Sequence, residues 1–154
     1  MKKLLSITVA VIALILALSA CSSAAKPLSD VFAAIKSEVG ISEMVEFASV
    51  DDLDRFYGID AADVTEFAGG INNSGVNQEE IVLIKASDKD AAARVETALT
   101  NRYNSKLNET KSYNPEQYAV LESCGVEVNG LYVSMILSAN ASAMKEIYHQ
   151  AIGE

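Results

Sequence analysis

The sequence predicts an α+β domain: an antiparallel sheet of about four strands in a ββα-ββα arrangement, helices on one face, and one or two helices ahead of it. Three observations carry that prediction. Asn129-Gly130 joins two β-rich runs, Val120 to Val128 and Leu131 to Ser138. Asn-Gly between such runs is a strong hairpin signal, because both residues tolerate the positive φ angles of a type I′ turn. Ile81 to Leu99 (IVLIKASDKDAAARVETAL) and Val133 to Ile152 (VSMILSANASAMKEIYHQAI) share the order apolar strand, serine-led cap, amphipathic helix. Residues 64 to 152 thus spell strand, strand, helix twice over, a structural pseudo-repeat that implies an antiparallel sheet backed by helices.

Ahead of the domain, Lys2 and Lys3 precede an apolar stretch from Leu4 to Ala20, interrupted only by Ser6, Thr8 and Ser19. This is the pattern of a secretory signal peptide, and it is shorter than the roughly 20 apolar residues a spanning helix needs. Leu18-Ser19-Ala20-Cys21 resembles the lipobox of bacterial lipoproteins. That resemblance implies cleavage before Cys21 and a diacylglyceryl group on its sulfur; the alternative is plain secretion with a coincidental cysteine. Two acyl chains anchor a protein stably where one is marginal, at about 0.8 kcal/mol per buried methylene. Residues 1–20 are then a cleaved signal peptide, 21–27 a lipidated tether and 28–154 a single globular domain.

Within that domain, Ser29 or Asp30 caps a helix with Leu28, Phe32, Ile35 and Val39 at helical spacing, stopped by Gly40. Ser49 caps a short helix through Asp51, Asp52, Leu53, Phe56 and Tyr57, which Gly58 ends. Val64 to Ile71 reads as a strand weakened by Gly69-Gly70, and Asn72-Asn73-Ser74-Gly75 as a turn. Ile81-Val82-Leu83-Ile84 is a continuous apolar run, either a central strand covered on both faces or one whose edges are masked.

Ser87 with Asp90 three residues on fits a capping box and opens the longest helix. Ala92, Val95, Leu99, Tyr103 and Leu107 line its inner face, Glu96, Arg102 and Lys106 face solvent, and it frays through Asn108 to Ser112 before Asn114-Pro115. After the hairpin, Asn140 or Ser142 starts a last helix with Met144, Ile147, Tyr148, Ala151 and Ile152 inward.

Composition narrows the function. The formal charge is −9 at pH 7, and removal of Lys2 and Lys3 makes the domain more acidic still. Such a surface repels phosphate backbones and anionic headgroups, which excludes nucleic acid as a partner and leaves membrane attachment to the lipid.

Residues able to do chemistry are few. His149 is the only histidine; near a helix C-terminus it reads as a solvated residue, with no second imidazole or Glu-x-x-His partner for zinc. Cys124, in the strand-like run Val120 to Val126, reads as a buried free thiol. Asp51, Asp52, Asp54, Asp60, Asp63 and Glu66 are the densest acidic set, but their spacing is not that of an EF-hand loop, and dipole compensation already explains Asp51 and Asp52. The glycine-rich Ala68 to Gly75 lacks P-loop and dinucleotide spacing and reads as a bulged strand entering a turn. Tyr113 and Tyr118, around Asn114-Pro115, read as fastening a loop to the core. Catalytic, metal and cofactor sites are accordingly expected to be none.

Several stretches together resemble one family: the lipobox, Tyr57-Gly58-Ile59-Asp60, Glu80-Ile81-Val82-Leu83-Ile84-Lys85-Ala86, Tyr113 to Tyr118 and Val128-Asn129-Gly130. They resemble the small bacterial lipoproteins grouped as domain of unknown function 4358, with similarity spread from Leu28 to Ile152. The resemblance implies an outer-surface lipoprotein and brings no activity or catalytic residues. The expected role is a non-catalytic binding or interaction module, anchored by Cys21 on the outside of the cell membrane and contacting an envelope protein or a small ligand. The alternatives are a cell-envelope hydrolase using a carboxylate pair such as Asp60 and Glu66, or an accessory subunit of a membrane complex. The last would expose an apolar patch or an unpaired strand edge.

Overall fold

A computed structural model describes residues 25–41, 43–74 and 77–154. Cys21, the expected signal peptide and the first residues of the expected tether fall in residues 1–24, outside the described residues. Helix α1 (Leu28–Val39) is followed by strand β1 (Met44–Glu46), helix α2 (Asp51–Tyr57), a 3₁₀ turn (Ala61–Asp63), and strands β2 (Val64–Asn72) and β3 (Glu80–Ala86). Helices α3 (Lys89–Tyr113) and α4 (Pro115–Glu122), strands β4 (Gly125–Asn129) and β5 (Tyr132–Leu137), and helix α5 (Ala141–Ile152) complete the domain. All pairings are antiparallel, in the order β1-β2-β3-β5-β4. The α+β class and the antiparallel sheet are as the sequence predicts, with five strands where about four were expected.

Helices cover both faces of the sheet, not one. The reason lies in β3, whose side chains are apolar on either side. Val82, Ile84 and Ala86 join Leu53, Val95, Leu99, Leu121 and Met135 in one core, beneath α2, α3 and α4. Ile81 and Leu83 join Leu28, Phe32, Ile35, Ile136, Met144 and Tyr148 in a second, beneath α1 and α5. With each buried aliphatic side chain contributing about 1.5–3 kcal/mol, leaving either face wet would forfeit several such terms. The strand-strand-helix order recurs as predicted, but α3 and α5 lie on opposite faces, so the repeat is one of order and not of rotation.

Local chemistry differs from expectation at several ends. Pro27, not Ser29 or Asp30, precedes α1, and the free Leu28 N–H donates to the Glu66 carboxylate instead. Before α2, Ser49 Oγ accepts from Asp51 N–H at 3.2 Å while Asp52 Oδ2 accepts from Ala48 N–H at 2.7 Å, a reciprocal cap. Asp88, not Ser87, caps α3 by accepting from Ala91 N–H at 2.8 Å. The helix stays regular through Tyr113, where Asn114 takes over as the cap of α4, accepting from Gln117 N–H at 3.1 Å with Pro115 at the first helical position.

Residues 115–122 are therefore helical, and the strand expected from Val120 begins only at Gly125. The hairpin stands, but Asn129 pairs with Tyr132, so its central residues are Gly130 and Leu131. Positive φ falls on Gly130 alone, at +63°, the type II′ pattern.

Candidate functional site

The residues singled out in the sequence do not converge. Asp60 accepts from Ala62 N–H in the 3₁₀ turn, whereas Glu66 takes the Leu28 N–H on the α1 side of the sheet, so the proposed carboxylate pair shares no cavity. Asp63 is held by Arg94 through two hydrogen bonds of 2.9 and 2.6 Å, which keep its carboxyl below the usual range. Asp52 serves its cap and Arg55. His149, expected in solvent, is half-buried, with Nε2 2.9 Å from Glu127, which Lys145 also contacts at 2.7 Å.

Cys124 is half-buried between α4 and β4, its thiol 3.3 Å from Val120 O. Tyr113 fastens nothing, being 89% exposed, while the Tyr118 ring lies 5.8 Å from Lys111 Nζ. Among the described residues, no group of three or more metal-ligating side chains comes together, and no helix is long and apolar enough to cross a membrane.

Two features emerge that sequence reasoning missed. The first is a buried charge cluster. Glu80, wholly buried at the start of β3, is gripped by Arg102 through Nε and Nη2 at 3.1 and 3.0 Å and by Lys106 Nζ at 2.8 Å. Arg102 and Lys106, expected to face solvent, turn inward because an uncompensated carboxylate here would be very costly. Burial works to raise the Glu80 pKa, and the hydrogen bonds of Arg102 and charge of Lys106 outweigh it, leaving the carboxyl below its ordinary value. The buried Tyr57 hydroxyl lies beside Glu80 without a hydrogen bond of good geometry, and burial together with that carboxylate pushes its pKa far up.

The second is a groove at the β1 edge of the sheet, made possible by Gly69-Gly70. Gly69 sits at φ +149°, and a Cβ there would fall 2.0 Å from Ile81 O and 2.9 Å from the Phe47 ring. A Cβ on Gly70 would fall 2.5 Å from Val45 O. The pair is not a bulge, since both residues hold register with Val82 and Ile81 and the irregularity lies at Thr65. Gly69 is confined by the Ile81 carbonyl of β3, and Gly70 is where an outer strand approaches too closely for any side chain.

That strand, β1, brings Val45 beside Phe56, 56% and 40% exposed. With Phe47 and Ile71 they line a cavity of about 210 Å³, the Asp52–Arg55 pair on its wall. Phe47 stacks edge-on to Tyr57 with centroids 5.9 Å apart, and the Arg55 guanidinium lies 4.6 Å from the centre of the Phe56 ring.

Backbone polarity at this edge follows from two bonds. Asn73 N–H donates to Glu43 O at 3.2 Å and Phe47 N–H to Gly69 O at 3.1 Å. Antiparallel alternation therefore turns Glu43, Val45 and Phe47 toward β2 and leaves the N–H and C=O of Met44 and Glu46 facing outward. Glu43 itself sits at φ +63°, a conformation that glutamate rarely adopts. Sheet edge, apolar cavity and strained entry residue coincide.

A further cleft of about 230 Å³ lies at the β2–β3 end of the sheet, lined by Gln78, Glu79, Gln117, Ser138 and Asn140. Its polar groups largely satisfy one another: Gln78 N–H donates to Gln117 Oε1, and the Ser138 hydroxyl to Glu79.

The chain has no significant match among curated proteins or among solved structures. Residues 37–138 of 154 match one family, described as Domain of unknown function (DUF4358). The matched span runs from the end of α1 to the end of β5 and takes in the β1 edge, the aromatic groove and the Glu80 cluster. With well over half its length matched, the chain belongs to the DUF4358 family.

Proposed function

We propose that this chain is a lipid-anchored protein of the outer cell envelope, tethered through Cys21, and that it acts as a non-catalytic module binding another envelope protein. One observation carries the reading: a strand edge at Met44 and Glu46, unpaired among the described residues, lies directly beside an apolar groove lined by exposed Val45 and Phe56. Folded domains usually avoid clustering exposed apolar side chains, so an apolar cavity opening beside a strand edge marks an interaction surface. The lipobox-like Leu18 to Cys21 supports the tether, and the acidic surface supports attachment by lipid and not by charge.

The test places a photo-crosslinking residue at position 45 of the full chain in its native envelope, and at exposed position 93 on α3 as control. A discrete protein adduct from position 45, absent from position 93 and recovered with membranes, is the expected result. Equal and diffuse labelling from both positions would reject the module.

A further inference from the structure

We infer that the β1 edge takes an extended polypeptide segment in which apolar residues alternate with basic ones, added as a further strand. This rests on the interaction role proposed for the same surface and names the chemistry of the partner. The backbone requirement comes first. Within β1, Met44 and Glu46 offer outward N–H and C=O groups, so the described edge is short and needs side chains to supply affinity and register.

Strand alternation then divides the partner's side chains between two environments. Val45 and Ile71 point to the α2 side, where Phe47 and Phe56 complete the cavity, so the partner residue opposite Val45 enters an apolar site. Its neighbours, opposite Met44 and Glu46, point to the α1 side. Glu46 bonds Lys36 there yet keeps its side chain 55% exposed, and the exposed Glu43 lies just ahead of the strand. On the α2 side, Asp52 and Arg55 cancel one another and Asp51 is exposed.

The rim therefore holds more carboxylates than cations, within a chain of net charge −9. A cationic segment is drawn to such an edge, whereas a second copy of this chain would bring the same negative charge against it.

The test uses the full chain, isotope-labelled in neutral detergent, with three short synthetic probes: alternating valine and lysine, alternating valine and glutamate, and the lysine probe N-methylated on the edge that would meet β1. The lysine probe should shift the amides of residues 44–47 and bind about tenfold more tightly than the glutamate probe at low salt, with the gap narrowing as salt rises. N-methylation should remove binding. The double variant Glu43→Gln/Glu46→Gln should lose most of the charge preference while its thermal unfolding stays close to wild type, because both carboxylates are exposed.

Equal affinity for the two charged probes, or binding indifferent to N-methylation, would overturn the inference, as would a dimer of the chain broken by Val45→Asp. A position-45 adduct with an envelope protein would leave the interaction role standing in those cases. Loss of that adduct as well would remove the role itself.

Discussion

Glu80 and Arg102 meet fork to fork, both carboxylate oxygens accepting from the guanidinium at 3.1 and 3.0 Å on the inner side of the central strand. Glu80 is sealed beneath α3 while Arg102 stays partly exposed, and Lys106 is a second, buried cation that also donates to the neighbouring Gln78 oxygens. Replacing Glu80 by Gln would leave a buried and a half-buried cation facing one neutral amide. The expected cost is about 3–5 kcal/mol of folding stability, read from urea unfolding midpoints. Lys106→Met, which leaves the forked pair whole, should cost markedly less.

The same cluster sets an acid limb. Glu80 has a lower pKa in the folded chain than the roughly 4.3 of an unfolded glutamate. Its contribution is therefore complete above that unfolded value and drains away as pH falls through the folded one. Wild-type stability should drop on acidification below about pH 4, and the Glu80→Gln variant, though weaker throughout, should show a flatter profile there. Unfolding midpoints measured between neutral and strongly acidic pH would check the difference; parallel profiles would count against the assignment.

Gly69 and Gly70 should respond differently to alanine. At Gly69 the new methyl would strike Ile81 O from a backbone angle that alanine resists, so Gly69→Ala should destabilise the whole sheet by at least about 2 kcal/mol. At Gly70 the collision is with Val45 O, so Gly70→Ala should loosen β1 while the five-residue and longer strands behind it remain paired. Amide exchange should then quicken at residues 44–47 and stay slow at residues 81–84.

If Cys21 carries the anchor, Cys21→Ser should shift the chain from the membrane fraction to the medium or to an uncleaved precursor, without altering its unfolding midpoint. Fractionation followed by mass measurement of the intact chain separates these products.

Local signals in the sequence were enough for most of the elements. Gly130 demands a turn, and four consecutive apolar residues from Ile81 demand a covered strand, so both could be read without knowing their neighbours. The α4 helix was also signalled, since Asn114-Pro115 is a cap followed by a first-turn proline, but the same dipeptide reads equally as a turn. β1 carried no signal because three residues have no period to detect. It exists through contact with Gly70, a quarter of a hundred residues on along the chain.

Arg102 and Lys106 were placed outside by their position on the helical wheel, and only Glu80, on another element, turns them inward. The groove joins residues from β1, α2 and β2, and its one local trace was the glycine pair, taken for a bulge when it marked close approach.

The central strand finds one neighbour early and the other late. β3 pairs at once with β2, but its second flank stays bare until Tyr132 to Leu137 arrives, about fifty residues further along. Neither core closes before that segment is in place, because Met135 and Ile136 each complete a different one. A chain cut short of Leu137 would display its greasiest strand to solvent, and folding is in effect deferred until the polypeptide is nearly whole. Under the export proposed above, that delay would keep the chain linear for as long as threading lasts.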